Sequence, residues 1–463
     1  MKKTIHNFLQ SYTVKPDKES LFEKIEKSRN ELDSNISKIK LSDMKDWSRD
    51  GETGNFLHNN SSLFSIQAGR SKDIETGKNT FQPIIYKSEQ GISGIISRHN
   101  EGVLELLLQI KDGPGNSGPP KISPTVQTRE KDSIPYLWEF QENHDGFTNI
   151  VSRTRQSESG IKFYKSSNYN IHVHSNDIEA LSSEFEWYTL SDIRTLLSAD
   201  GYVNTSLMAA LSAIDFLGEI LEENDIDFNK FETLSELEKD LIISYISDKK
   251  ALWKFSEIRE WIANHKENKS KEHSLLSLKK LPKAWNKTST TISCKENREF
   301  ELMAVETLDI SQPIVKDNLP KVYGLILKKI NGILHVYAQL VEEDFSYNGP
   351  ELGPSIIQVD DRDEKNPINI IKRKMRVIYD SYQSDEGDMF MECTNRYMMF
   401  IDDKNSTFHL DDFQSGAGLW LTINQFRRLL NLPCMVNEEA RSLLTIASYY
   451  DEDAFIEKVR NRK

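Results

Sequence analysis

Cysteine is scarce. Cys294, Cys393 and Cys434 are the only three in 463 residues, and they lie far apart. An odd, scattered set excludes a disulfide framework and a cysteine zinc site, and a reducing cytoplasm is the expected compartment. Long hydrophobic runs are lacking: none approaches the ~18 residues of a membrane-spanning helix, so no membrane partner is expected. The opening MKKTIHNFLQSYTVKPDKES has two lysines but no apolar stretch behind them, so no secretory signal is expected. Positive charge is in deficit, with 59 Lys plus Arg against 72 Asp plus Glu and a net charge of −13. That argues against a general nucleic-acid binder, whose footprint is a basic face. A small anionic ligand needs only a few local cations and stays possible. No GxGxxG follows a predicted strand, so no nicotinamide is expected.

What is present is repetition. QPII at 82–85 recurs as QPIV at 312–315, GVLELLLQ at 102–109 as GILHVYAQ at 332–339, and PKISPTV at 120–126 as PELGPSI at 350–356. All three pairs share one offset of 230, without a gap. QSESGIKF at 156–163 then recurs as QSDEGDMF at 383–390, and Asn204 pairs with Asn437. One such match arises by chance, but not four in the same order. The expected organisation is a tandem duplication, residues 1–225 and 226–463.

Each unit reads as α+β, a mixed sheet flanked by helices. ISGIISRHNEGVLELLLQI and YGLILKKINGILHVYAQLV alternate around Asn100-Glu101-Gly102 and Asn331-Gly332 and predict hairpins. KFYKSSNYNIHVH and MFMECTNRYMMFI predict further strands. Leu443, Leu444 and Ala447 follow Ala440 at helical spacing, behind Asn437 as N-cap. Helical patterns open the chain and recur around 232–264. The polar stretch 263–274 reads as a surface loop.

At GPGNSGPPKISPTVQTR (113–129) and QSESG (156–160) the chain resembles the NDP-hexose 2,3-dehydratases of deoxysugar biosynthesis. In the second unit QPIV, NGILHV, ELGPS, YDSYQSDEG, NRY, WLTINQ and VNEEARSLL follow in the family order. The resemblance implies a dTDP-4-keto-6-deoxyglucose 2,3-dehydratase, a homodimer whose repeats fold like Nudix hydrolase domains. It also implies coupling to a 3-ketoreductase that consumes the unstable product. No Nudix box is present, so no metal is expected. Some family positions differ: Phe81, Gly113, Met208 and Tyr169 stand in the first unit where the family has Trp, Glu, Arg and Arg. Ile357 replaces a Gln in the second.

The implied reaction removes the C3 proton beside the C4 ketone, expels the C2 hydroxyl and ketonises the product. It requires a base, an acid, donors for the C4 oxygen and a diphosphate clamp. His335 fits an acid or base near neutral pH, although a histidine with a structural hydrogen bond is the commoner case. Glu351 and Glu386 are alternative bases, or solvated charges. Gln109 and Gln339 occupy strand positions that should be apolar, and require a partner in ligand or backbone. The loop Gly113-Pro114-Gly115-Asn116 presents amides to a phosphate or makes an ordinary turn. Lys111, Arg129, Arg396 and Arg441 are the cations to place near diphosphate, each equally readable as a surface or helix-capping residue. Thr125, Gln127 and Gln156 complete the binding set in the first unit. Gln383, Ser384 and Asn395 complete it in the second. Because the second unit keeps His335, Arg396 and Arg441, it is the expected catalytic unit. The competing reading is a non-catalytic nucleotide-sugar-binding or scaffold protein of the same fold.

Overall fold

A computed structural model describes residues 2–31, 36–59, 63–116, 118, 120–129, 134–141, 150–214, 226–296, 300–308, 310–360, 367–385, 387–403 and 417–461. The first half carries β1 (Ser37–Ile39), β2 (Trp47–Arg49), β3 (Phe56–His58), β4 (Phe64–Asp73), β5 (Asn79–Lys87) and β6 (Gly91–Asn100). These are followed by β7 (Val103–Lys111), β8 (Lys121–Ser123), β9 (Val126–Arg129), β10 (Ile150–Ser157), β11 (Ser167–His174) and β12 (Phe185–Thr189). The second half carries β13 (Lys271–Leu276), β14 (Asn286–Lys287), β15 (Thr291–Ser293), β16 (Glu301–Glu306), β17 (Ser311–Lys316) and β18 (Lys321–Ile330). Then come β19 (Ile333–Val341), β20 (Glu351–Gly353), β21 (Ile356–Val359), β22 (Arg376–Ser384), β23 (Thr394–Ile401) and β24 (Gly418–Leu421). The helices are α1 (Lys2–Thr13), α2 (Lys18–Glu31), α3 (Leu190–Ser198), α4 (Thr205–Ser212) and α5 (Glu236–Ile246). Five more follow: α6 (Phe255–Glu267), α7 (Pro367–Lys374), α8 (Ile423–Leu429), α9 (Glu438–Ser448) and α10 (Glu452–Asn461).

The hairpins form where the turn residues demand. Asn331 and Gly332 have φ of 54° and 82°, and Glu101 and Gly102 have 50° and 85°. Positive φ at both central residues suits a two-residue loop between twisted strands, and glycine takes it without a Cβ penalty. Each hairpin anchors a seven-stranded sheet. The first runs β10-β11-β6-β7-β12, with β8 on β7 and β9 on β6. The second runs β22-β23-β18-β19-β24, with β20 on β19 and β21 on β18. In both, one pair is parallel, β11 with β6 and β23 with β18, and the other pairs are antiparallel.

Two smaller sheets tie the halves together by exchange. β1 pairs with β16, Ser37 opposite Glu306, and β13 pairs with β4, Leu276 opposite Ala68. Each half thus completes the other's small sheet. The segment 263–274, expected as a surface loop, is instead the end of α6 and most of β13. Its polarity reflects a half-exposed strand whose pairing partner lies in the other half, a tertiary effect that a local pattern cannot carry. The boundary expected near residue 225 falls in 215–225, outside the described residues.

Leu104, Leu106 and Leu108 of β7 and Leu334, Val336 and Ala338 of β19 face the helices, and one apolar cluster spans both halves. α4 and α9 pack together, and Thr445 Oγ1 donates to the Met208 carbonyl at 2.6 Å. Asn204 and Asn437 cap these helices, accepting from Leu207 N at 2.7 Å and Ala440 N at 3.0 Å.

A candidate active site between the two halves

β10 and β22 end in Gln-Ser, and each glutamine is buried. Gln156 Nε2 donates to the Leu430 carbonyl at 2.7 Å, and Gln383 Nε2 donates to those of Leu197 and Ala199, both at 3.1 Å. These carbonyls sit at the C-terminal ends of α8 and α3, where the helix supplies no donor. Each half therefore closes a helix end of the other, and the halves are held face to face.

A narrow cleft opens along this contact, with a cavity volume of about 50 Å³. Corresponding positions of the two halves line it together: Glu158 and Asp385, Asn168 and Asn395, Ser93 and Tyr323, Phe163 and Phe390. The two asparagines act alike, Asn168 Oδ1 accepting from Gly91 N and Asn395 Oδ1 from Lys321 N, both at 3.0 Å. Elsewhere the halves differ. The α4 side offers Thr205 and Ser206; the α9 side offers Glu438, Glu439 and Arg441.

The electrostatics of the α9 side are strongly perturbed. Burial, reinforced by Glu439, pushes the Glu438 carboxyl up to about 7. Burial and the neighbouring Glu343 raise Glu439 as well. Glu438 Oε2 accepts from Ser159 N at 3.1 Å, and Glu343 Oε2 from Gly160 N at 2.5 Å. Lys321 and Lys162 lie within electrostatic reach of Glu439. Burial alone would lower Lys162, but its ion pair with Asp385 reverses the balance and holds its pKa up. Arg441 donates to the carbonyls of Val436 at 2.7 Å and Ser157 at 2.6 Å. Buried Tyr323 and Tyr397 complete this wall, their rings 5.7 Å apart. Two carboxyls raised by burial beside fixed cations are candidates for an acid and a base near neutral pH.

The sequence profile of NDP-hexose 2,3-dehydratases matches residues 18–214 and 255–447, which include both faces of the cleft. The chain belongs to that family. It is 26% identical over 443 residues to a dTDP-4-dehydro-6-deoxy-alpha-D-glucopyranose 2,3-dehydratase of Saccharopolyspora spinosa, covering 88% of this chain and 86% of the relative. Enzymes of the same description from Amycolatopsis orientalis and Streptomyces violaceoruber are 26% and 25% identical over 88% of this chain, and 85% and 92% of their own lengths. A solved ADP compounds hydrolase aligns with 39% of the chain and 92% of its own at 11% identity, with a TM-score of 0.23.

In this dehydratase-family fold, Gln156, Asn395 and Arg441 meet in the cleft, while Lys111 and Gln127 line an adjoining cavity. Candidates of both units therefore line one cleft. Glu351 stands behind the cleft wall, its Oε2 accepting from Ser157 Oγ at 2.5 Å; burial raises its pKa against the opposing pull of Lys266. Ser384 is buried beside Asn204, with which it forms an isolated bridge.

The other candidates lie elsewhere. His335 is fully buried, its Nδ1 3.1 Å from the Ile333 carbonyl, and it lines neither cavity; burial lowers its pKa. Arg396 is engaged by Asp380 through two 2.6 Å bonds, which raise its pKa, and it lines neither cavity. Gln339 is buried and Gln109 half-buried on their strands, also outside both cavities. Thr125 Oγ1 accepts from Ile96 N at 3.0 Å and donates to the Leu107 carbonyl, clipping β6 to β7. Ser355 does the same with Ile326 N and the Tyr337 carbonyl. Glu386 and the Arg129 side chain lie outside the described residues.

The glycine loop is not a phosphate cradle. Gly115 N donates to the Gly387 carbonyl at 2.7 Å, its own carbonyl accepts from Glu392 N at 2.7 Å, and Asn116 N is taken by Gly113 O at 3.0 Å. Asn116 Nδ2 donates to Asp112 Oδ1 at 3.0 Å. A Cβ on Gly115 would meet the Phe390 carbonyl oxygen at 1.9 Å. The glycines are needed for close packing against the other half. Gly115→Ala is expected to destabilise the fold by about 2 kcal/mol, since backbone must shift; a thermal midpoint equal to the parent's would contradict this.

Glu438, Glu439, Lys321 and Lys162 escaped the sequence reading. The signal was in VNEEARSLL, but two glutamates just after an N-cap read as ordinary partners of a helix dipole.

Proposed function

We propose that the chain is a dTDP-4-keto-6-deoxyglucose 2,3-dehydratase, a hydro-lyase acting in the cleft between its halves. The observation that carries this is the Glu438–Glu439 pair, two carboxyls raised toward neutrality among Lys321, Lys162 and Arg441. The activity named for its relatives supports it.

Ionised Glu438 takes the C3 proton, and the electron pair moves through C3 and C4 onto the C4 oxygen. Lys321 or Tyr323 donates a hydrogen bond to that oxygen, stabilising the charge where it develops. Protonated Glu439 gives its proton to the departing C2 hydroxyl, which leaves as water. The resulting C2–C3 enol takes a proton at C2 and becomes the 3-ketone. The carbon skeleton neither gains nor loses a hydride, so these steps call for no redox partner. In this reading both carboxyls come from the second half, and Glu438 and Glu439 take the acid and base roles that the sequence suggested for His335.

The same reading holds each large sheet with its helices to be one copy of a duplicated, Nudix-like unit. The common strand order supports this, as does the arginine stacked on a tyrosine in each half: Arg194 over Tyr12 at 3.7 Å and Arg427 over Tyr245 at 4.9 Å. We place the enzyme in the cytoplasm, beside the 3-ketoreductase that would use its product, and as a homodimer, the commonest closed assembly. Light scattering is expected to give twice 53.5 kDa; a monomer at micromolar concentration would remove the dimer.

Incubation with dTDP-4-keto-6-deoxyglucose in deuterium oxide, with a ketoreductase as trap, tests the function. The expected product has lost one water and carries deuterium at C2. Substrate recovered unchanged while dTDP binds would instead favour a non-catalytic nucleotide-sugar-binding protein.

A further inference from the structure

The segment that joins β19 to β20 is pinned residue by residue. Ser270 N and Oγ donate to Glu342 Oε2 at 2.9 and 2.5 Å. Lys271 Nζ donates to the Glu342 carbonyl and to Asp344 Oδ1, both at 2.9 Å, and Ser71 Oγ donates to the same Oδ1 at 2.9 Å. Phe345 N donates to His273 Nδ1 at 3.1 Å, and the Phe345 carbonyl accepts from Lys165 N at 2.9 Å. Phe345 is fully buried with a φ of 64°, and a Cβ on Gly69 would meet its ring at 2.6 Å. A bulky residue keeps a left-handed backbone only where its surroundings over-determine it.

Glu343 stands in the middle of this segment and does not line the cleft. It reaches the turn that follows β10. Its Oε2 accepts from Gly160 N at 2.5 Å and from Ser159 Oγ at 3.4 Å. A Cβ on Gly160 would meet the Asp344 carbonyl oxygen at 2.6 Å and Ser346 N at 2.7 Å, so turn and segment are fitted backbone to backbone. The preceding amide, Ser159 N, donates to Glu438. Two consecutive amides thus serve two carboxyls, one outside the cleft lining and one within it.

The first half lacks this arrangement as a set. At the offset of 230 the counterpart of Glu343 is Gly113, and Thr205 and Ser206 follow Asn204 as Glu438 and Glu439 follow Asn437. Gly113 instead packs on Gly387, whose carbonyl carbon a Cβ there would meet at 2.6 Å. We infer that Glu343 is a positioning residue for proton transfer in the cleft: through Gly160 it aims the Ser159 N–H at Glu438, and it sets its charge against Glu439. This rests on the reading of Glu438 and Glu439 as base and acid. Lys321, Glu351 and Glu438 also face Glu343, and Lys321 and Lys162 face Glu439. Glu438 faces Arg441, Asp385 and Glu158 besides. Burial, against the pull of the Gly160 N–H and Lys321, raises the Glu343 carboxyl to about 7, so it ionises in the same range as Glu438. A negative charge beside Glu439 favours its protonated form.

Two variants separate aim from charge. Glu343→Gln keeps an acceptor for Gly160 and loses the charge. Both limbs of its pH–rate profile should move about one unit toward acid, because a like charge beside the pair is gone. Glu343→Asp keeps the charge and withdraws the carboxyl by one methylene. It should lower kcat about tenfold at unchanged KM, speed hydrogen exchange in the peptide containing Ser159 and Gly160, and leave the limbs in place. The exchange, read by mass spectrometry on the full chain, needs no turnover. Unmoved limbs in Glu343→Gln, with or without a loss of activity at every pH, would overturn the inference, as would unchanged exchange in Glu343→Asp. The two readings fail separately. A Glu438→Gln enzyme as active as the parent would remove the base, while moved limbs in Glu343→Gln would still couple Glu343 to the acid. An inactive Glu438→Gln with unmoved limbs in Glu343→Gln would keep the base and remove Glu343.

Discussion

Glu438→Gln should lower kcat by at least about a hundredfold, with the folded structure kept. Removing a positioned base from a rate-limiting proton transfer costs roughly 10²–10⁴. Glutamine has the shape of a protonated glutamate, which this site already tolerates, since burial holds the carboxyl up to about 7. The bond from Ser159 N to Oε2 at 3.1 Å can be kept by the amide oxygen. A loss in kcat without a matching rise in KM would mark an interaction of the transition state. Steady-state kinetics with the ketoreductase trap, beside a thermal melt, measures both. A Glu438→Gln enzyme as active as the parent would remove Glu438 from the chemistry.

The second large effect is on pH. The proposed base must be ionised and the proposed acid protonated. Activity should therefore rise as pH passes about 7, where Glu438 loses its proton, and fall again as Glu439 does. The two limbs belong to a coupled pair, not to either residue alone. Stability should run the other way. Both carboxyls have folded pKa values raised above their unfolded ones, because burial disfavours the charge. The native state then binds more protons than the unfolded state between the two values. Their contribution is fully present below about pH 4.5 and is lost as pH climbs through 7. The thermal midpoint should decline from about pH 5 to about pH 8, and Glu438→Gln/Glu439→Gln should flatten that decline. A midpoint rising over this range, or the same slope in the double variant, would contradict the buried-proton reading.

How legible this was depends on where each signal lies. Asn331-Gly332 is a local signal: it fixes φ at two residues, and the hairpin follows. The Asn204 and Asn437 caps are equally local. Gln156 and Gln383 stood out through the repeated Gln-Ser motif, but their partners, the helix ends at Leu430 and Leu197, lie 274 and 186 residues away. No periodicity shows that β1 crosses to β16 or that β13 crosses to β4, because pairing is decided by the assembled halves. The same limit governs the site. Arg396 resembled a diphosphate ligand until Asp380 took its guanidinium, and His335 resembled an acid until burial placed it outside both described cavities. Charge alone cannot distinguish a free cation from a paired one. Glu438 and Glu439 were hidden for the opposite reason: acidic residues in a first helical turn already have an ordinary explanation, and only the cleft makes them unusual.

The division of labour between these adjacent glutamates is the central claim, and isotope exchange at C3 separates them. Glu439→Gln should be incubated with dTDP-4-keto-6-deoxyglucose in deuterium oxide and the unreacted substrate recovered for mass spectrometry. With the base intact and the acid gone, the account predicts deuterium at C3 of recovered substrate and little dehydrated product, whereas Glu438→Gln should show neither. Deuterium washed into C3 by Glu438→Gln but not by Glu439→Gln would reverse the assignment, and exchange at the parent rate in both would move the chemistry out of this cleft.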